Sequence, residues 1–355
     1  MACVEICPVQ AISMQDDMSA YNAVIDENKC VHCNLCHTKC QNNQSLSFTP
    51  PIFYKQGWTN DEGIRKISTS GGLSAELINA FLKNGGTVCS CAFMEGEVRF
   101  AFTAPGEAKP AYQGSKYVKS NPLGIYKKIE ALLKGGTEVL FVGLPCQVGA
   151  LKAYLKAPLQ EKLTTVDIIC HGTPAPKTLD AYLSQLNCSL STTNSISFRR
   201  GKTYAVSADG KGAKAGTSDY YSLGFLSGLF FTENCYDCKY AKRERASDIT
   251  IGDSWGSDLP IEQQRKGLSL ILCQTEKGKA LLDACDLTLH DVDYEKAARY
   301  NGQLNAPMTK PKNREKFFIK LAKGKSFDSA VFACMPKKCL KQKVKRLAYL
   351  LHVKR

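Results

Sequence analysis

The 355-residue sequence has no stretch approaching the ~20 apolar residues that a membrane-spanning helix requires. Its first residues also lack the basic-then-apolar layout of a secretory signal. These two absences lead us to expect a cytoplasmic protein. There is no internal repeat beyond runs of cysteine and no low-complexity segment, so neither a repeat array nor a disordered tract is indicated. Acidic residues are missing from residues 336–355, which carry eight Lys or Arg.

What is present in excess is cysteine, seventeen in all. A reducing compartment keeps thiols free, so clustered cysteines there signal metal or redox chemistry and not a disulfide framework. Length and a 44% hydrophobic composition allow two or three domains with a sizeable apolar core. The formal net charge of +14 would suggest nucleic acid or acidic lipid as a partner. That count omits the negative charge that thiolates around iron and a diphosphate-bearing cofactor would add.

The first cysteines, Cys3 and Cys7 followed by Pro8, read as C-x-x-x-C-P. This is the tail of the run that holds 4Fe-4S clusters in bacterial ferredoxins. Cys30, Cys33, Cys36 and Cys40 then give a full C-x-x-C-x-x-C-x-x-x-C, with Gln41 where the run usually has proline. In two-cluster ferredoxins the fourth cysteine of each run crosses to the other cube. That rule joins Cys7 to Cys30, Cys33 and Cys36 in a complete cube and leaves Cys3 and Cys40 as half of a second. A zinc knuckle, with its two separated pairs of ligands, fits four cysteines in eleven residues poorly. The half-built cube leads us to expect a truncated or misplaced start, with cysteine codons immediately before Met1 and three codons earlier. A true start would leave Cys3 and Cys40 idle.

From Lys66 the pattern changes to alternating helices and strands. "STSGGLSAELINAFLKNGG" is a small-residue loop leading into a helix with Leu73, Leu77, Ile78, Phe81 and Leu82 at helical spacing. "TVCSCAF" and "VRFAFTA" read as a hairpin, and "PLGIYKKIEALLKGG" as a helix with Pro122 in its first turn. Two strand–turn–helix units follow, "EVLFVG" with Cys146 in its turn and "TTVDII" with Cys170. In βαβ order their strands are parallel, which puts both cysteines at the carboxyl edge, where open α/β sheets bind ligands. "YSLGFLSGLFF" is an apolar run of ambiguous type, and "DITIGDSWG" a strand ending in glycine and acid.

Cys235 and Cys238 form a C-x-x-C, alone compatible with zinc or a redox dithiol. With Cys146 and Cys170 they supply four thiolates, either a second complete 4Fe-4S site or unrelated buried cysteines. The loop Ser68, Thr69, Ser70, Gly71, Gly72 offers N–H groups, hydroxyls and a helix dipole to a phosphate, or simply caps the helix through Ser70. It matches neither the G-x-G-x-x-G nor the G-x-x-x-x-G-K-S/T spacing. "QGSKYVKSN" either lines a cofactor or forms a polar loop. Cys89 and Cys91 are read as structural, on opposite faces of a strand. His171 beside Cys170 is a proton donor or a turn residue with a local partner. The C-terminal "LKQKVKRLAYLLHVKR" is an amphipathic basic helix, either solvated or docked to a partner or membrane surface.

Taken in order, "KISTSGG", "QGSKYVKSN", "GLPCQVGALKAYL", "DIICHGTPAP" and "CYDCKYAKRERASDITIGDSWG" resemble the coenzyme F420 hydrogenase/dehydrogenase beta-subunit family, over about residues 60 to 300. The resemblance implies an iron–sulfur flavoprotein in which FAD lies next to a 4Fe-4S cluster. Carried over, the cluster ligands are Cys146, Cys170, Cys235 and Cys238. The flavin is held by the Ser68 to Gly72 loop, with Ser70 to Gly72 nearest, and by Gly114, Ser115, Lys116 and Tyr117. Leu144 and Ser254 depart from the more usual Thr and Phe, which leaves the acceptor open.

The expected fold is an α+β ferredoxin-like dicluster module (1–48) followed by an α/β flavin- and cluster-binding domain in two parts (60–150 and 151–305), with a basic helical extension (306–355). The expected function is an oxidoreductase relaying electrons between clusters and FAD, to or from a two-electron small-molecule acceptor such as an F420-like deazaflavin, with a redox partner protein or ferredoxin. Two cubes are complete in this chain, and a third would need an extended N-terminus. The alternatives are a subunit that only wires a partner enzyme and a nucleic-acid-binding iron–sulfur protein. "RRGK" and the tail lack the interleaved aromatics of a base-stacking surface, so no nucleic acid is expected.

Overall fold

The computed structural model describes residues 1–200, 203–212 and 219–350. Gly201 and Lys202 of "RRGK" and the last five residues of the basic tail lie outside them. The chain starts with helix α1 (Ala2–Ile6), the antiparallel hairpin β1 (Ile12–Asp16) and β2 (Tyr21–Ile25), and one helical turn α2 (Leu35–Thr38) against which α1 packs.

Eight strands then form one mixed sheet among the described residues. They are β3 (Phe53–Thr59), β4 (Thr87–Met94), β5 (Glu97–Thr103), β6 (Val139–Gly143) and β7 (Leu163–Ile168). After a separate three-stranded sheet of β8 (Ile196–Arg200), β9 (Thr203–Ala208) and β10 (Lys211–Gly212) come β11 (Ile249–Asp253), β12 (Ser269–Cys273) and β13 (Leu287–His290). The order across the large sheet is β13-β3-β12-β11-β7-β6-β4-β5. Its centre, β4, β6, β7 and β11, is parallel, and both flanks are antiparallel. β3 precedes residue 60, where the expected domain began, yet it pairs along its length with β12 and β13.

Helices cover both faces, which is why the central strands read as continuous apolar runs. On one side Leu140 and Val142 pack with Leu77, Ile78 and Phe81; on the other Val139 and Phe141 pack with Ile129, Leu133 and Leu151. Each such buried side chain contributes about 1.5–3 kcal/mol. The helix expected from Pro122 begins later, at Ile125 with Gly124 as its N-cap, so Pro122 lies outside it. Cys89 and Cys91 both pack toward the Ile125–Lys134 side, not on opposite faces as expected. Side chains alternate with a period of two, so residues two apart share a face.

The ambiguous apolar run resolves into helix Tyr220–Leu226 and a buried Leu229, Phe230 and Phe231. These pack with Phe198, Val206, Phe317 and Phe327, so the first two helices of the basic extension, Arg314–Ala322 and Phe327–Cys334, complete a second core. The N-terminal unit is tied down as well. Ala2 is buried beside Tyr126 and Val148. The Glu5 carboxylate accepts the N–H groups of Gly124 (2.7 Å) and Lys127 (3.0 Å), which caps helix Ile125–Lys134 from outside.

Candidate cluster and cofactor site

β6 and β7 run parallel and in register from Val139↔Leu163 to Gly143↔Asp167. Beyond β6 the chain turns directly into helix Pro145–Tyr154, with Pro145 at its first position and Gln147 Oε1 accepting the Leu144 N–H at 2.9 Å. This fixes Cys146 in the first helical turn, at the carboxyl edge of the sheet. Cys170 leaves β7 at the same edge. The next residue but one, Gly172, has φ +119, and a Cβ there would lie 2.4 Å from the Phe231 ring, so backbone and space both require glycine.

The segment bearing Cys235 and Cys238 is brought to this edge by Arg245. Its side chain, 2% exposed, donates to the carbonyls of Tyr240 (2.8 Å), Lys242 (3.3 Å) and Ile168 (3.1 Å), and to Thr250 Oγ1 (3.2 Å). It also pairs with Asp167 Oδ1 at 3.1 Å. One guanidinium thus ties the loop after the C-x-x-C to the end of β7.

All four thiols feel one another. Burial pushes Cys146 up to about 11, opposed by Lys119 and reinforced by Cys238 and Cys235. Burial pushes Cys170 further up, with Cys235, Cys146 and Cys238 acting in the same direction. Cys238 is raised by burial and by Cys235. Cys235 is also buried, but Lys119 and hydrogen bonds from Thr232 and Thr173 outweigh that and hold it below the usual thiol range. The Thr173 N–H points at Cys235 Sγ (3.4 Å), and amides of Gly172, Tyr240 and Ala241 approach Cys170 and Cys238.

These residues fit a 4Fe-4S cluster. Four half-buried thiols that oppose one another's ionisation are favoured as thiolates together by cationic metal, and N–H donors aimed at sulfur tune the potential of such a cube. Among the described residues no group of three or more His, Cys, Asp or Glu converges to hold a single ion. A cube binds each thiolate on a different iron, so its ligands need no common point. Tyr240 adds an independent mark. It is 4% exposed, Cys146 and Cys238 lie close enough to act on its phenol, and its hydroxyl has no hydrogen-bond partner. Gly149 makes room for it, since a Cβ there would meet the Tyr240 hydroxyl at 2.3 Å.

Beside the four thiols opens a cavity of about 350 Å³. Its wall includes Cys170, Ser68, Thr69, Ser70 and Gly72 from one expected flavin loop, and Gly114, Ser115, Lys116 and Tyr117 from the other. Thr69 Oγ1 and Ser115 Oγ, 3.1 Å apart, join the two loops. Ser70 is not the cap of the following helix: its hydroxyl donates to Leu268 O (2.9 Å), the N-cap is Gly72, and no side chain caps helix Leu73–Lys83. Leu73, Ser74 and Ala75 of that first turn line the cavity and their N–H groups have no side-chain cap, which suits an anionic group. Gly71 does not line the cavity; its N–H donates to Ser269 Oγ (2.9 Å), and it positions the loop. Lys116 Nζ, pushed down to about 8 by burial with Cys91 opposing, donates to the carbonyls of Tyr112 (2.7 Å) and Gln113 (3.1 Å).

Sequence reasoning missed the opposite wall. Arg199 on β8 donates to Tyr117 Oη (2.5 Å), Thr69 O (3.3 Å) and Tyr204 Oη (2.9 Å), and pairs with Asp253 at the end of β11 (3.0 Å). One residue of the small sheet therefore grips both small-residue loops and the large sheet. Cys91, taken as structural, and His171, Phe225 and Trp255 also line the cavity, as does Leu144. Ser254 lies apart from that wall, its hydroxyl donating to Gln56 Oε1 (2.9 Å). The only sequence signal for this wall was the glycine and acid closing "DITIGDSWG".

At the N-terminus the structure places Cys3 within Coulombic reach of Cys40 and Cys36; burial is the chief cause raising the Cys3 thiol. Cys7 follows α1, and its Sγ accepts the Ala11 N–H (3.2 Å). Cys30 and Cys33 lie on the segment before α2, with Cys33 exposed. Two buried tyrosines lie within Coulombic reach of both this unit and the inner thiols, both phenols raised first by burial. Tyr126 feels Cys146 and Cys3, and Tyr240 feels Cys146, Cys238 and Cys40. Cys3 and Cys40 thus share near neighbours with the inner thiols.

Residues 136–294 match the family model for the C terminus of the beta subunit of coenzyme F420 hydrogenase/dehydrogenase. Over that stretch, somewhat under half of its length, the chain is similar to that oxidoreductase beta-subunit family. Three of the five motifs, with Cys146, Cys170, Cys235 and Cys238, lie inside the match; the two flavin loops precede it. Among solved structures, a chain from the F420-reducing nickel–iron hydrogenase complex of Methanosarcina barkeri is similar in fold, with TM-score 0.53 and 16% identity over 79% of this chain and 96% of that one. No curated protein sequence matches.

Proposed function

We propose that this chain is an iron–sulfur flavoprotein oxidoreductase, with a 4Fe-4S cluster on Cys146, Cys170, Cys235 and Cys238, another on Cys7, Cys30, Cys33 and Cys36, and FAD in the adjoining cavity. The observation that carries this reading is a continuous arrangement. Cys3 and Cys40 of the N-terminal unit share the neighbours Tyr126 and Tyr240 with Cys146 and Cys238 of the inner four, and Cys170 lies in the wall of the cavity that both small-residue loops line.

A bound flavin supplies the exchange between one-electron and two-electron transfer. The chain's own residues supply the setting. The uncapped turn at Leu73 to Ala75 and the Ser68 to Gly72 loop receive the anionic part of the cofactor, and Lys116 adds a positive charge. Arg199 locks the two loops to β8 and β11 and so excludes water from that side. The amides aimed at Cys170, Cys235 and Cys238 favour electron-rich sulfur. Cys3 and Cys40, near each other, would hold part of a further cube.

Anaerobic purification with iron and flavin quantitation and EPR tests the proposal. The expected result is flavin together with two 4Fe-4S signals; a colourless, zinc-containing protein overturns it. The similar fold of a subunit from a hydrogenase complex supports a redox partner protein for this chain too. Reduction of an artificial dye but of no deazaflavin or nicotinamide would identify a subunit that only wires its partner.

A further inference from the structure

Helix Pro336–Leu350 presents a face that nothing among the described residues covers. Its inner side is pinned to the body. Cys339 is buried, Lys338 Nζ donates to Ser227 Oγ (2.9 Å), and Lys343 Nζ lies 5.2 Å from the centre of the Phe332 ring. Leu340, Val344 and Leu347, at i, i+4 and i+7, form a stripe whose members are 51%, 67% and 58% exposed. At about 100° per residue the stripe is turned roughly 80–140° from Cys339. Lys337 and Lys341 border it on the side away from the body, and Lys345 and Lys338 follow around the helix.

Between residues 337 and 346 this helix carries five Lys and one Arg and no acid. Counted from Lys310 to Arg346, thirteen Lys or Arg face two acids, Glu315 and Asp328. A narrow aliphatic stripe with basic flanks matches a boundary that is apolar beneath and negative above. A protein groove would meet the same stripe, but it would find no acid among the lysines to fix a register, and a lipid surface needs no register.

We propose that helix Pro336–Leu350 docks the protein on an anionic phospholipid bilayer. It lies in the plane of the interface, with Leu340, Val344 and Leu347 inserted and Lys337, Lys341 and Lys345 on the headgroups. The attachment does not require spanning, since no helix among the described residues is long and apolar enough to cross a membrane. It is independent of the redox reading, because no residue of the stripe lines the cofactor cavity.

The test is co-sedimentation of the full chain with phosphatidylglycerol/phosphatidylcholine vesicles and with pure phosphatidylcholine vesicles. Wild-type protein pellets with the anionic vesicles only, and is released when salt rises from ~0.1 M to ~1 M and the screening length falls from about 10 Å to about 3 Å. Reversing Lys337, Lys341 and Lys345 to Glu lowers partitioning by roughly a hundredfold. Leu340→Ser, Val344→Ser and Leu347→Ser together abolish it while leaving the melting temperature unchanged, since all three side chains are exposed. Protein that stays in the supernatant with anionic vesicles at low salt overturns the proposal. So does a triple serine variant that binds like wild type, or a wild-type dimer that this variant makes monomeric.

Discussion

Replacing Arg245 by Met tests the account of how the inner cysteines are brought together. The substitution removes five donor contacts, three to backbone carbonyls, one to the Thr250 hydroxyl and one to Asp167. It leaves Asp167 with a side chain 1% exposed and with its second oxygen already unpartnered. Burial raises the Asp167 pKa, and Arg245 is the largest influence opposing it. Without Arg245 the folded chain buries a bare carboxylate or protonates it, and protonating a group that ordinarily titrates near 3.9 costs about 4 kcal/mol at pH 7. Broken buried pairs cost ~3–5 kcal/mol in general, so the two routes agree. In thermal unfolding under anaerobic conditions we expect the transition to fall by roughly 5–10 °C. The variant's Asp167 pKa is higher folded than unfolded, so stability is lost as pH rises through the folded value, and the deficit shrinks in acid. Adding Asp167→Asn should recover at least ~1 kcal/mol by removing the stranded charge. Iron should drop by one cube, because the loop after Cys238 loses its anchor. A variant within ~1 kcal/mol of wild type at pH 7, or one that Asp167→Asn does not improve, refutes the reasoning.

Lys116→Met should release flavin while iron stays constant; in wild type, flavin retention should weaken as pH rises through about 8, where the buried ammonium loses its charge, and the variant should show no such step. Tyr240→Phe keeps the ring and removes the unpartnered hydroxyl, so the inner cluster should keep its iron and shift to a lower reduction potential in an EPR-monitored titration, whereas an unchanged potential would mean that the phenol donates nothing to it. Asp219 is raised to about 6, chiefly by burial, against the N–H donors of Ser222 (2.6 Å) and Val206. Its folded pKa lies above the unfolded one, so stability should fall by about 3 kcal/mol as pH rises from ~4 to above 6; a urea series should show that slope in wild type and not in Asp219→Asn.

The grouping of the cysteines was legible because such spacing is local. The spacings at Cys30 to Cys40 and at Cys235 and Cys238 follow from tight turns, and the βαβ rule alone carried Cys146 and Cys170 to one edge. The helix after Gly72 and the hairpin at β4 and β5 were equally plain from period and turn residues. Periodicity failed where a segment is buried on every side. "YSLGFLSGLFF" has no polar face to betray a helix, because Tyr221, Phe225 and Phe230 all point into one aromatic core with Phe317 and Phe327 from the far end of the chain. β3 escaped notice because "FYKQGWT" mixes polar and apolar residues, and its place is fixed by pairing with β12 and β13, more than 200 residues away.

Arg199 was illegible for a related reason, and its geometry bears on substrate choice. It stands fifty-four residues before its ion partner Asp253, on a strand that belongs to a different sheet, so no motif joins them. Its Nε and both Nη atoms are already engaged by Tyr117, Thr69, Tyr204 and Asp253. Four of its five N–H donors are committed to the wall, which leaves one on Nη1. Arg199 therefore chiefly ties the two small-residue loops together, and discrimination among acceptors rests mainly on side chains at the cavity that the chain itself leaves free. Trp255, Leu226 and Ile168, 47%, 38% and 37% exposed, are the large apolar ones there. A planar acceptor laid against Trp255 would be selected by stacking and shape more than by charge.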